Sequence, residues 1–267
     1  MDFITSFLCG LLAFNFLLEP LIEHQMVYHP SETIKETPED YHLVYEDLYL
    51  KTADDCTIHG WYFPNAAADK VVLYFSGNAK NMSYNMDRIK LFLDCTANVM
   101  TIEYHGFGKS SGLPLEETLY IDARTAYQFL IAEKKFKPEQ IIVAGRSLGG
   151  GVALELAKEQ KVGGVILISS FTSIPAMADR FFPFYLRPFF WIKNNFNNLE
   201  KISDIHYPLL VIHSEKDTFV PVEMARKNFD KANEPKTFAI IHRGDHSQLY
   251  LQDVSPDIKS FLSEKKY

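Results

Sequence analysis

The sequence predicts an α/β fold: a mostly parallel central sheet with helices on both faces, preceded by an antiparallel hairpin. Three observations carry this. Short runs apolar at nearly every position recur along the chain, and strands of that kind are buried on both sides. Longer amphipathic stretches separate them, and strand–helix alternation implies right-handed crossovers between parallel strands. The chain has 267 residues, 47% apolar and 23% charged, with no internal repeat. At about 150 residues per domain, it holds one large domain or two small ones.

A polar linker follows Pro30, with Ser31, Glu32, Lys35, Glu36 and Pro38. Leu43–Leu50 and Thr57–Phe63 read as two strands of a hairpin, with Asp54-Asp55 as turn residues. Lys70–Phe75 is an apolar strand ending at Ser76-Gly77, and a helix is expected over Tyr84–Leu93. Asn98–Tyr104 is strand-like and runs into a glycine-rich turn. Glu116–Lys135 carries Leu119, Ala123, Ala126, Tyr127, Leu130 and Ile131 at helical spacing. Strands are then expected at Gln140–Ala144, Val165–Ile168, Leu209–His213 and Thr237–Ile241, and helices at Ser147–Lys158, Pro221–Asp230 and Ser255–Ser263. In such sheets ligands bind beyond the carboxyl ends of the strands, so chemistry is sought in the loops that follow them.

The net charge is −7 and no Lys/Arg run exceeds two residues, so no nucleic-acid partner is expected. Cys9, Cys56 and Cys95 are odd in number, widely spaced and without a CxxC pair. Neither a disulfide framework nor a structural zinc site is predicted. Phe3 to Leu18 is uncharged, and Glu19-Pro20 ends the run. The run lacks the basic start of a secretory signal. Two readings stay open: a short hydrophobic anchor associated with a membrane, or an N-terminal helix packed on the protein. The expected organisation is a hydrophobic helix at 1–24 and a main domain at 40–267 with a small cap at about 172–203. The corresponding location is membrane-associated, or otherwise cytoplasmic.

The strand Gln140–Ala144 leads into Gly145-Arg146-Ser147-Leu148-Gly149 and then a helix. G-x-S-x-G between strand and helix holds the serine in a strained turn with its hydroxyl above the sheet. Gly145 and Gly149 let strand and helix approach closely. A serine nucleophile needs a base and an orienting acid. Asp217 and His246 each lie just past one of the last two strands, in the order Ser147, Asp217, His246. Glu215 is the competing acid and His242 the competing base. His242 and His246, four apart, would suggest a metal pair on a helix, but Gly244 between them indicates a loop, so no metal is expected. The oxyanion would sit on the backbone N–H groups of Leu148, following the nucleophile, and of Asn78, in the loop after Lys70–Phe75. Gly108-Lys109-Ser110 lacks the leading glycine of a phosphate loop, since position 103 is Glu103.

These residues resemble the α/β-hydrolase family of serine hydrolases, over about Leu43 to the C-terminus. The resemblance is closest to a subfamily with an H-G-N-A oxyanion loop and a following D-Y-x-G-Y-G-x-S-x-G strand end, which includes membrane-attached protein depalmitoylases. Here the first reads Ser76-Gly77-Asn78-Ala79 and the second runs from Glu103 to Gly112. Ser170-Phe171-Thr172-Ser173, Phe196-Asn197-Asn198-Leu199-Glu200-Lys201-Ile202 and Ile212–Pro221 match further family motifs. Ser76 replaces a histidine, which leaves the bracing of the oxyanion loop open. The resemblance implies the α/β-hydrolase fold and hydrolysis of acyl esters or acyl thioesters through an acyl-enzyme, with no cofactor. A serine peptidase and a non-catalytic, membrane-tethered binding protein are the alternatives. Half the residues of Phe181–Phe196 are aromatic; they are expected in a cap, either walling an acyl pocket or packing on the core.

Overall fold

The computed structural model describes residues 19–181 and 192–263. The chain enters through helix α1 (Glu19–Val27) and a two-residue strand, β1 (His29–Pro30). β2 (Glu46–Lys51) and β3 (Thr57–Phe63) form the expected antiparallel hairpin. β4 (Val71–Phe75), the short β5 (Ala79–Lys80), α2 (Met86–Asp94), β6 (Asn98–Ile102) and α3 (Glu116–Ala132) follow. Next come β7 (Ile141–Arg146), α4 (Leu148–Glu159), β8 (Gly164–Ile168), α5 (Ile174–Phe181) and α6 (Asn198–Lys201). β9 (Leu209–Ser214), α7 (Val222–Lys231), β10 (Lys236–Ile241) and α8 (Ser255–Ser263) close the described chain. The main sheet runs β10-β9-β8-β7-β4-β6-β3-β2. Only β3 runs opposite to the other strands of this sheet.

The apolar strands explain the two helical layers. Successive strand side chains face opposite sides. In β4, Val71, Leu73 and Phe75 enter one core and Val72 and Tyr74 the other. β7, β8 and β9 divide the same way: Val143, Val165 and Val211 on the first face, Ala144, Ile166 and Ile212 on the second. Leu119 and Ala123 of α3, Val152 of α4 and Ala225 of α7 cover the first core. Ile89 and Phe92 of α2 and Ile258 and Leu262 of α8 cover the second. Each fully buried Val, Leu, Ile or Phe contributes about 1.5–3 kcal/mol relative to exposure, so both faces are needed to hold the sheet.

The winding also fixes where a ligand sits. From β4 the chain passes over α2 to β6, on one side of β4. From β6 it returns over α3 to β7, on the other side, and continues outward to β8, β9 and β10. Direction and helical face reverse together, as right-handed crossovers require. The reversal lies between β4 and β7, and the loops leaving their carboxyl ends diverge there into a crevice.

Several boundaries shift from expectation, with local causes. The first hairpin strand begins at Glu46 rather than Leu43, because the Leu43 N–H closes a turn onto Pro38 O (3.1 Å). α3 stops at Ala132 instead of Lys135. Lys135 takes φ +61°, and Lys134 and Phe136 N–H groups bond back to Phe129 and Leu130 carbonyls. A helix stretch begins at Met86, after a 3₁₀ turn over Met82–Tyr84 that Asn81 caps through Ser83 N–H (3.1 Å). The linker after Pro30 is strapped down: Asn81 Nδ2 donates to Ser31 O and Thr33 O, and Lys35 N–H donates to Ser83 Oγ. Residues 3–18 lie outside the described residues.

Glu103, just past β6, is buried with Oε1 accepting Met82 N–H (2.9 Å). Burial pushes its carboxyl up to about 8. Between the unfolded value near 4.5 and about 8, the folded chain therefore binds the extra proton, and this group's contribution to stability falls as pH rises. Glu103→Gln keeps the acceptor and removes the ionisation. Its Tm should exceed wild type's by a margin that widens from about pH 5 to pH 9; parallel Tm–pH curves would refute this.

Candidate active site

Ser147 stands between β7 and α4 with φ +52° and ψ −115°. A non-glycine residue in that region costs about 1–3 kcal/mol and persists only where its surroundings impose it. Here its N–H donates to Ile168 O (2.9 Å), and its carbonyl accepts Gly150 N–H (3.0 Å) and Ser170 Oγ (2.9 Å). Both flanking glycines are required by contact. A Cβ on Gly145 would lie 2.1 Å from Gly149 O, and one on Gly149 2.2 Å from Phe75 O.

Asp217 and His246, from the loops after β9 and β10, meet: His246 Nδ1 lies 2.7 Å from Asp217 Oδ2. The Asp217 carboxylate is fully buried, while the imidazole keeps some exposure. Asp217 Oδ1 is already committed, accepting Phe219 N–H (3.0 Å) and Val220 N–H (2.8 Å). That leaves Oδ2 to orient the ring. His213 packs behind it, with Nε2 2.8 Å from Val220 O and 3.6 Å from Asp217 Oδ2. Burial pulls the His213 pKa down, so this second imidazole is neutral and donates its Nε2–H to the carbonyl. The competing residues pair with each other instead: His242 Nδ1 is 3.2 Å from Glu215 Oε2, on the exposed rim.

Arg146 is the first of the two variable residues of G-x-S-x-G. Its guanidinium donates to the His246 carbonyl and joins the His246 loop to the end of β7. Burial, followed by the Arg88 charge, lowers its pKa. Motif position alone gave no sign of this partner.

The loop after β4 lies against the nucleophile: a Cβ on Gly77 would sit 3.7 Å from Ser147 Cβ. Asn78 is held from the N-terminal side. Its Nδ2 donates to Val27 O (2.8 Å), and its carbonyl accepts His29 N–H (2.8 Å) where β1 pairs with β5. Tyr104 OH donates to Ser76 O (2.9 Å), bracing the loop through its backbone where the family's histidine is absent. Leu148 opens α4, so its N–H has no acceptor inside the helix.

Most of Phe181–Phe196 lies outside the described residues. Phe181 is exposed and its ring is 5.7 Å from Phe219, which in turn is 5.0 Å from the His246 ring. Phe196 is a core residue, buried against Tyr120 (5.8 Å between centroids). The stretch before it is tied to α1. Glu23 accepts the Lys193 and Asn194 N–H groups, and Tyr28 OH donates to Asn194 Oδ1 (2.6 Å). Among the described residues, the metal-type donor group Asp54, Cys56 and His105 contains none of the residues above.

Residues 70–198 match the family model for the alpha/beta hydrolase fold. The fold is that of an α/β hydrolase. The esterase Pf2001 of Pyrococcus furiosus superposes with a TM-score of 0.73 at 22% identity, covering 88% of this chain and 96% of that one. Protein bem46 of Schizosaccharomyces pombe is 33% identical over 195 residues, spanning 69% of this chain and 64% of its own. The alpha/beta hydrolase domain-containing protein WAV2 of Arabidopsis thaliana is 28% identical over 91% of this chain and 87% of its own. No helix among the described residues is long and apolar enough to cross a membrane.

Proposed function

We propose that this protein is a serine hydrolase cleaving carboxylic esters or thioesters of acyl chains through an acyl-enzyme. The observation that carries the reading is the 2.7 Å His246–Asp217 pair past β9 and β10, at the same strand ends of the sheet that carry the strained Ser147 past β7. In this reading His246 Nε2 takes the Ser147 proton as Oγ attacks the acyl carbon. The Asn78 and Leu148 N–H groups hold the oxyanion; losing one such donor typically costs about 100–1000-fold in rate. Collapse of the tetrahedral intermediate expels the alcohol or thiol, which takes the proton from His246. Water then attacks the acyl-enzyme with His246 as base, releasing the acid and restoring Ser147. Asp217 holds the productive tautomer and stabilises the imidazolium. No step calls for a cofactor or metal.

The esterase named among the structural neighbours and the depalmitoylase-like sequence motifs both support an acyl substrate. The uncharged run Phe3–Leu18 supports a membrane-associated location, which would bring the site to lipid-bound acyl groups. Deleting residues 1–18 should then move the protein from the membrane fraction to the supernatant; unchanged partitioning removes that part of the reading. The activity is tested by a fluorophosphonate probe read by intact mass, on wild type and Ser147→Ala. Labelling of wild type alone is expected, followed by turnover in a chain-length series of esters and thioesters. Unlabelled, folded wild type would overturn the proposal in favour of a binding protein, and preferential amide cleavage would make it a peptidase.

A further inference from the structure

The antiparallel hairpin and the loop after β6 meet at a second cluster of chemically active side chains. The turn Thr52–Cys56 joins β2 to β3, closed by Thr52 N–H on Cys56 O (2.9 Å), and presents Asp54 and Cys56. His105 arrives from beyond β6. One carboxylate oxygen of Asp54, Cys56 Sγ and an imidazole nitrogen of His105 lie within 4.8 Å of one another. His105 is 1% exposed, and its Nε2 faces the turn. Asp54 Oδ2 is 3.2 Å from that nitrogen, an ion pair when the imidazole is protonated. With Nδ1 taken by Asp122, Nε2 is the imidazole atom left to face Asp54 and Cys56.

The supporting groups are those that metal sites use. His105 Nδ1 is 2.5 Å from Asp122 Oδ1, and Asp122, on α3, is fully buried and also accepts the His105 N–H (2.8 Å). A carboxylate behind the imidazole fixes the ring and raises its basicity as a ligand. Asp54 is oriented by Thr52, whose Oγ1 donates to its Oδ1 (2.6 Å). Gly112 closes the wall: a Cβ there would fall 2.3 Å from His105 Cδ2 and 3.1 Å from Cys56 Sγ. Asp54 is exposed and Cys56 half-buried, so an ion can enter from solvent.

We propose that Asp54, Cys56 and His105 form a divalent metal site of zinc type, with a fourth position open to water. Thiolate, imidazole and carboxylate are the zinc donor types. Tetrahedral bonds of about 2.0–2.3 Å would draw the donors to roughly 3.3–3.8 Å apart, a small contraction of the present cluster. The ion would clip the hairpin tip to the loop after β6. Sequence spacing predicted no zinc site because two donors share one turn and the third comes from a different strand. The competing account is a structural charge triad, an imidazolium between Asp54 and Asp122; the pair with Asp122 raises the His105 pKa against the effect of burial.

The test is Co²⁺ titration of the full chain after chelator treatment, under reducing conditions at neutral pH. One equivalent should bind and give tetrahedral visible bands with a thiolate-to-cobalt charge-transfer band, and Zn²⁺ should displace it. Losing an outer-shell partner alone typically weakens metal binding about 10–100-fold, so Cys56→Ser and Asp54→Asn should each lose at least tenfold. The charge-transfer band should vanish in Cys56→Ser. Both substituted side chains reach solvent, and circular dichroism checks their folding. His242→Gln, at the exposed histidine near the other site, should bind like wild type. Failure of folded wild type to bind Co²⁺, or undiminished binding in both ligand variants, would overturn the site and leave the charge triad.

Discussion

Ser147→Ala should lower kcat by about 10⁵–10⁶-fold on the best ester or thioester substrate, with KM nearly unchanged. The serine Oγ has no substitute among the residues the fold gathers there, and its loss leaves only the oxyanion donors and binding. Asp217→Asn should cost about 10⁴-fold, and the geometry shows why. Phe219 and Val220 N–H groups claim one oxygen of Asp217. An asparagine would keep its carbonyl there and turn its NH₂ toward His246 Nδ1. The imidazole would then accept at Nδ1 and carry its proton on Nε2, the atom that must receive the serine proton. The double variant should be no slower than Ser147→Ala, because the groups act as one unit. Losses that multiply, or a Ser147→Ala enzyme retaining more than about a hundredth of wild-type kcat, would defeat the assignment.

The sheet was legible because its strands announce themselves: Val71–Phe75 and Leu209–Ser214 are buried at every residue, which leaves little other reading for such short apolar runs. Helix ends were less legible. α3 terminates through Lys135 at positive φ, where a glycine would have marked the end in the sequence. The pairing of His29–Pro30 with Ala79–Lys80 left no trace, because two residues cannot display an alternation. Within the candidate site, Ser147, Asp217 and His246 could be named because each closes a strand in a fixed order. Arg146, His213 and the Val27–Asn78 contact could not, since each depends on a loop path that no local pattern encodes. The separation of Asp217–His246 from Glu215–His242 is likewise a matter of burial: two acids two residues apart face opposite sides of one loop.

Gly149→Ala should act on stability and rate together. Gly149 is the second residue of α4, where helix propensity on its own favours alanine over glycine by up to about 1 kcal/mol. Contact predicts the reverse. The added carbon would lie 2.2 Å from Phe75 O and 2.5 Å from Ser76 O, both backbone atoms. Phe75 is fixed in the centre of the sheet by pairing with Gly145, so it cannot yield. Relief must come from lifting α4 or from displacing Ser76, which carries the Gly77–Asn78 loop with it. Overpacking of this kind costs up to about 3 kcal/mol, which for a domain of this size lowers Tm by roughly 6–12 °C. Either movement also shifts the Leu148 N–H relative to the Asn78 N–H, so kcat should fall by about 100-fold or more at temperatures where the variant is folded. Ser147→Ala offers the contrast, inactive but close to wild type in Tm. A Gly149→Ala protein with unchanged Tm would mean that α4 is free to move away from β4, and that the close approach of strand and helix does not hold the nucleophile in place.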